Sequence, residues 1–466
     1  MSATKPSRSP DRRPRDNPRD NSRDNSRDDS RDAPSALNPS HRQPMDRLLL
    51  WLTFLLLGVG IVSVYDASYA IAVEKLHGDS FHFVKMQAGW AGVGLLALLG
   101  ASRLPYWKWR KVAVIGLAIS AFLLIAVLIP HVGITVNHAR RWLGHGQIRF
   151  QPSELAKLAL VLYLARVTAG SLKIKTHPKQ GLVPPLIVIG MLAALIAKEP
   201  DLGTALVLSV TGLVLLFLAG ARPAHLGAIF GVAAVAVSLF VALEPYRAHR
   251  ITAFLNPKAD QYATGYQVWH ALIALGSGGV GGMGLGEGRE KLFIPEPRTD
   301  FIFPVIAEEW GLIGTLALVA LFVFVAARGF GIAYRTRDPF GALLAAGITT
   351  LISVQALINM AVATASIPDT GVPLPFISYG GSSLVLMMLG IGILLNISSF
   401  PDGPEGPVQN KIEPNEDDWN RRWSRPDDGV RDRPSVTPSS ASATIRRLDR
   451  ARRDEARRDR GAFRDS

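Results

Sequence analysis

The chain has 466 residues, 48% of them hydrophobic, and a mean hydropathy of +0.20, yet its formal net charge is +13, an odd mixture for one globular domain. It contains no cysteine, which excludes disulfides, thiolate metal sites and cysteine nucleophiles and leaves the redox compartment open. The contradiction between charge and hydropathy resolves once the chain is divided into polar ends and an apolar middle.

Residues 1–47 carry a four-residue repeat running from Arg15-Asp-Asn-Pro to Arg31-Asp-Ala-Pro. Its opposite charges nearly cancel, and Pro and Ser oppose a regular helix, so it reads as a disordered cytoplasmic spacer. The first apolar run begins near Leu48, too far from Met1 for a cleaved secretory signal and without a small-residue cleavage site, so it is expected to stay as a first span. A hydrocarbon core of about 30 Å takes about 20 helical residues. Runs of that kind predict ten spans, at residues 48–66, 83–102, 111–130, 153–169, 183–197, 202–220, 226–243, 303–327, 340–364 and 378–398. Residues 48–400 are therefore expected to form an all-α polytopic membrane domain. Residues 401–466 form a second polar tail, whose Arg446-Arg-Leu-Asp-Arg-Ala-Arg-Arg stretch is either a helix on anionic lipid heads or a solvated one.

Short cytoplasmic loops carry an excess of Lys and Arg. Arg103, Lys108, Arg110 and Lys111 follow the second span, Arg166, Lys173, Lys175 and Lys179 mark the end of the fourth, Arg222 follows the sixth, and Arg328, Arg335 and Arg337 the eighth. These loops share one side, and an even span count places both tails with them. Loops 67–82, 131–152, 198–201, 244–302 and 365–377 are then external. Two of them depart from the pattern: 131–152 holds Arg140, Arg141 and Arg149 on the arginine-poor side, while 244–302 is the longest and is rich in Gly, Pro and charge. Function is expected there.

In Gln151-Pro-Ser-Glu-Leu-Ala-Lys, Ser153 can cap a helix, and Glu154 and Lys157 lie three apart on one face. Charges in a membrane helix are costly, so the two form either a structural ion pair or part of a substrate-facing cavity. In Lys198-Glu-Pro-Asp-Leu-Gly-Thr, Pro200 and Gly203 break the helical pattern, and Asp201 reads partly as a helix cap. The glycine-rich stretch from Gly276 to Gly288 is either a phosphate cradle of backbone amides or flexible packing. Arg289, Lys291 and Arg298 nearby offer charge for a pyrophosphate. Asp300, directly before the eighth span, is either its N-cap or a general base with a raised pKa.

Taken together and in this order, Ala139-Arg-Arg-Trp-Leu, Gln151-Pro-Ser-Glu-Leu-Ala-Lys-Leu, Glu199-Pro-Asp-Leu-Gly-Thr-Ala, Gly265-Tyr-Gln, Pro295-Glu-Pro-Arg-Thr-Asp-Phe-Ile-Phe and Gly371-Val-Pro-Leu-Pro-Phe-Ile-Ser-Tyr-Gly-Gly-Ser-Ser resemble the SEDS family (shape, elongation, division and sporulation) from about Leu48 to Phe400. One departure is Pro304, where the family usually carries Ala; a proline in the first helical turn is tolerated. The resemblance implies ten transmembrane helices and an inverting glycosyl transfer that polymerises lipid II, the undecaprenyl-pyrophosphate-linked disaccharide pentapeptide, into peptidoglycan strands. It implies Asp300 as the catalytic carboxylate, Glu154, Lys157 and Asp201 as cavity groups, and Arg140 and Arg141 as motif arginines that, with Lys291 and Arg298, face the leaving pyrophosphate. A magnesium ion held by Glu296 or Asp300 is compatible with hard oxygen ligands, although no spacing demands one. A class B penicillin-binding protein, other division proteins and membrane lipids are the implied partners, and no nucleic acid. The Gly284-Leu-Gly-Glu-Gly-Arg-Glu-Lys-Leu run favours the division branch, at the inner membrane of the septum, over the elongation branch. A lipid flippase and a scaffold are the rival readings from other classes.

Overall fold

The computed structural model describes residues 42–403 except 76–79, 137–138, 146–147, 172–173, 175–176 and most of 243–264. The expected tails, apart from residues 42–47 and 401–403, lie outside the described residues, as does the second of the two units into which the chain divides, Val408–Ser466.

The helices are α1 Arg47–Lys75, α2 His82–Arg103, α3 Trp107–Leu128, α4 Pro152–Thr168, α5 Pro178–Lys198, α6 Leu202–Leu218, α7 Pro223–Ala242, α8 Tyr266–Ser277, α9 Ile302–Arg335, α10 Pro339–Ala363 and α11 Gly381–Ser399. Every run expected to span falls on one of them. Among the described residues, seven are long and apolar enough to cross a membrane: α1, α2, α3, α5, α9, α10 and α11. The chain is thus a multi-pass membrane protein. Helices α4 and α6 have 17 residues each, and α4 carries the Glu154 and Lys157 charges that lower its apolar character. Local signals set the ends. Asp338 caps α10 by accepting the Gly341 amide at 2.9 Å ahead of Pro339 at the first helical position, and Asp46 accepts the Leu49 amide at 2.9 Å at the start of α1.

Two expected loops contain structure. Residues 131–152 fold into a three-stranded antiparallel meander, β1 Ile134–Val136, β2 Ala139–His145 and β3 Ile148–Phe150, with β2 in the middle. Loop 244–302 contains α8, which buries Val268, Ala271 and Ala274 at helical spacing. At a rise of about 1.5 Å per residue its length is about 18 Å, too short to span.

Helices α10 and α11 bury most of their apolar surface, with α9 and α2 packed along them and α3 packed along α4. The outer helices expose theirs, as at Trp51, Leu96, Phe122 and Ile187, which suits a lipid surround. At one end of the bundle Arg328 pairs with Asp46 at 2.5 Å, and Tyr106 donates its amide to Asn396 Oδ1 at 2.8 Å. At the other end meet β2, the α5–α6 turn, residues 278–300 and residues 369–379, drawn, apart from residues 378–379 at the expected start of the tenth span, from the loops expected to share a side.

Candidate active site

Asp300 lies two residues ahead of α9, and its carboxylate does not cap that helix. The N-cap position belongs to Phe301, and no side chain bonds there. The segment bearing Asp300 is instead held by its backbone. The Arg298 carbonyl accepts the Tyr379 amide at 2.8 Å, the Thr299 carbonyl accepts the Ser378 hydroxyl at 2.6 Å, and the Asp300 carbonyl accepts Asn359 Nδ2 at 2.8 Å. Its carboxylate faces Gly371, where a Cβ would stand 3.3 Å from Oδ2 in a backbone of φ +66° that glycine readily adopts. Burial pushes the Asp300 carboxyl up to about 7; the Asp369 carboxylate adds to the shift, Arg141 opposes it, and Asp201 and Glu296 add less. A carboxylate so placed takes a proton from a hydroxyl more readily than an ordinary one.

The groups that act on Asp300 come from separate loops packed closely together. Arg141 donates Nε to the Glu199 carbonyl at 3.1 Å and its other arm to the Pro200 carbonyl. Asp201 caps α6 through the Thr204 amide at 3.1 Å and accepts Gln151 Nε2 at 3.0 Å, so capping and site placement coexist in one side chain. Gly203 lets residue 370 approach: a Cβ there would lie 2.3 Å from the Thr370 carbonyl oxygen. Glu199 is fully buried with neither carboxylate oxygen bonded to protein; burial and the Asp201 charge push it up to about 9 against the opposing Arg141.

Arg140 does not share Arg141's surroundings, because successive strand residues point to opposite faces. Its guanidinium donates to the Leu128 carbonyl at 3.0 Å, at the end of α3, and Arg141 rather than Arg140 acts on Asp300. Arg298 stacks over Phe83, 4.1 Å from the ring centroid, and pairs with Glu296 at 2.9 Å, leaving its Nε buried without a protein partner. Glu296 is half exposed, and among the described residues no three His, Asp or Glu groups converge as metal ligands would. Glu154 and Lys157 form a buried pair at 2.8 Å, and Lys157 also donates to Gln355 at 2.6 Å. Ser153 does not cap α4: the cap position is Gln151, and the Ser153 hydroxyl is buried without a partner.

Lys291 and the glycine stretch are placed otherwise than as phosphate ligands. Lys291 reaches Asp66 at 2.6 Å, Glu309 at 2.7 Å and the Gly286 carbonyl at 3.0 Å. Burial opposes its charge, but those carboxylates outweigh it and raise its pKa. The amides of Arg289 and Glu290 point at an anion, and that anion is Glu308 of α9, at 2.8 and 3.1 Å. The glycines fit a break in α9 at Gly311, φ +66°. There Met283 and Gly284 donate to the Glu308 and Glu309 carbonyls, while Leu312 and Ile313 donate to Gly279 and Val280. Four of the backbone groups beside the break thus find partners in the glycine stretch. A Cβ on Gly282 would meet the Glu309 carbonyl oxygen at 2.1 Å. Sequence reasoning missed Asn359, Gln355, Ser378, Asp66 and Glu308; amides four apart in the otherwise apolar α10 were the available signal for the first two.

Fold and site together define a multi-pass membrane protein with a polar, carboxylate-centred site where its loops meet. Residues 47–402 match the FtsW/RodA/SpoVE family, described as cell cycle proteins, and the chain belongs to that family. It is 43% identical over 359 residues to stage V sporulation protein E of Bacillus subtilis (strain 168), covering 76% of this chain and 97% of that one. It is 40% identical over 369 residues to the probable peptidoglycan glycosyltransferase FtsW of Geobacter metallireducens, covering 79% and 98%. Among solved structures, a chain of a peptidoglycan synthase complex superposes with a TM-score of 0.64 at 29% identity, over 76% of this chain and 97% of that one. The rod shape determining protein RodA of Thermus thermophilus gives 0.57 at 28%, over 77% and 98%.

Proposed function

We propose that this protein is a peptidoglycan glycosyltransferase that polymerises lipid II into glycan strands. The family, and relatives named for that activity at about 40% identity, support it. The observation that carries the site is Asp300, a half-buried carboxylate held from behind by three backbone contacts and raised to about 7.

In the proposed reaction the 4-hydroxyl of an acceptor sugar attacks the anomeric carbon of a donor sugar. The new C–O bond forms as the anomeric C–O bond to phosphate breaks with inversion. Undecaprenyl pyrophosphate leaves with the bonding electrons, and the hydroxyl proton passes to Asp300. We assign Arg141, whose charge acts on Asp300, and Arg298, whose Nε has no protein partner, to the pyrophosphate; Lys291 and Arg140 act on the loop and on α3 instead. A magnesium ion at Glu296 would add charge neutralisation but would compete with the Glu296–Arg298 pair, and assay in a chelator reads whether one is required.

We further assign the protein to the cytoplasmic membrane, with both tails cytoplasmic and the Asp300 end outside, since the basic loops lie opposite that end. A class B penicillin-binding protein is the proposed partner, supported by the likeness to a chain of a peptidoglycan synthase complex. Relatives named FtsW support a division role over an elongation role, and septal accumulation of a fluorescent fusion would separate the two. Purified Asp300→Asn protein given lipid II tests the assignment: the expected result is a fall in glycan synthesis of about 10² to 10⁴ with normal insertion. An Asn variant that polymerises within about threefold of the parent would overturn it, because an amide keeps the shape and cannot take the proton.

A further inference from the structure

Asn359 is 1% exposed, four residues from the end of α10. A buried amide on a membrane helix commonly bonds back to its own helix or across to a neighbouring one. Here both bonds of Nδ2 leave the helix for two loops: one goes to the Asp300 carbonyl at 2.8 Å and the other to the Val372 carbonyl at 2.8 Å. One side chain thus ties the segment bearing the reacting carboxylate to the loop that faces it.

That loop is itself anchored. Gln355, one turn earlier on α10, donates to the Pro373 carbonyl at 3.0 Å and accepts Lys157 at 2.6 Å, with Glu154 completing the chain at 2.8 Å. Ser378 accepts the Leu374 amide at 2.8 Å while donating to the Thr299 carbonyl. The result is a buried polar frame running from α4 through α10 to both sides of the Asp300 carboxylate. Gly371 sits inside it with no space to spare, since an added Cβ would lie 3.3 Å from Asp300 Oδ2.

We propose that Asn359 is a positioning residue for the Asp300 carboxylate, fixing its separation from the Gly371 loop by bridging the Asp300 and Val372 carbonyls. The proposal rests on the reading of Asp300 as the proton acceptor. Asn359 touches no substrate in this account; it acts through the backbone, and Ser378 supports the same segment one residue earlier.

The test uses the full-length protein, purified in detergent and assayed with lipid II across pH 5 to 9. Asn359→Leu keeps the volume and removes both donors. Turnover is expected to fall about 10²-fold with KM within about threefold of the parent, the size of loss that a misplacement of about 1 Å produces. The acid limb of the rate profile should also move to lower pH, because a loosened carboxylate gains water. Turnover within about threefold of the parent, with an unchanged profile, would overturn the proposal. So would a loss uniform across pH that tracks the folded fraction, which is what a purely structural role gives. Should Asn359→Leu fail to fold, Ser378→Ala removes one of the three carbonyl contacts. It should then lower turnover severalfold with the same pH displacement, and an unchanged rate and profile would overturn the proposal. Asp300→Asn run alongside separates the two ideas. An active Asp300→Asn defeats the acceptor reading and this proposal with it, whereas an inactive one beside a fully active Asn359→Leu defeats only the positioning role.

Discussion

Residues 276–291 and 295–300 belong to the same loop, and they spend their polar groups in opposite ways. In the first, charge is consumed inside the protein: Lys291 is shared by Asp66 and Glu309, and the amides of Arg289 and Glu290 are taken by the Glu308 carboxylate. In the second, Glu296 and Arg298 pair with each other, but at Asp300 backbone is consumed and the side chain is kept. The carbonyls of Arg298, Thr299 and Asp300 hold the segment, so that the Asp300 side chain is not needed as an anchor. A side chain anchored through its own charge has little left for a ligand, whereas one anchored through its backbone keeps its chemistry. By that measure Asp300 is the group we propose for the reaction, while Lys291 braces the loop through Asp66 and Glu309.

The largest effect that could break this comparison is at Lys291. Lys291→Met should cost about 2 kcal/mol of stability, since Asp66 and Glu309 lose their shared cation in a mostly dry setting. It should leave KM for lipid II within about twofold of the parent. Thermal unfolding in detergent beside steady-state kinetics reads both. Normal stability with a raised KM would return Lys291 to the pyrophosphate.

A smaller effect sharpens the contrast among the carboxylates. Glu199 is held neutral, with its carboxyl pushed up to about 9 by burial and by Asp201. Between its ordinary 4.5 and about 9, the folded protein keeps a proton that the unfolded chain releases, so stability falls as pH rises through that window. Glu199→Gln should leave polymerisation within about twofold and flatten that decline. A variant that loses activity at pH 7 while staying folded would make Glu199 an ionised participant.

The multi-pass helical character was legible because long apolar runs report directly on the hydrocarbon core, though of the ten runs read as spans seven lie in helices long and apolar enough to cross, and the polar motifs marked the end where the candidate site lies. The role of Asp300 was not separable from the residues alone, because an aspartate just before an apolar run reads equally as cap and as base. The helix start at Ile302, with Phe301 in the cap position, removes the cap reading and leaves the base as the proposal. Arg140 and Arg141 read as a pair while residues 131–152 read as a loop; a strand there sends them to opposite faces. The partner of Lys291, Asp66, lies 225 residues away, and nothing local announces it. The glycine run suited a phosphate cradle and flexible packing alike; its backbone bonds across the α9 break and the close approach of Gly282 to the Glu309 carbonyl favour packing.

The central claim is that a raised Asp300 carboxyl accepts the proton of the attacking hydroxyl. It is tested most directly by the pH dependence of lipid II turnover by the purified parent protein. A base must be ionised to act, so the rate should fall as pH drops through about 7, with the steepness of a single ionisation. A rate that stays level down to pH 5 in folded protein would contradict the claim, because it would mean that no carboxyl so raised takes part in the step.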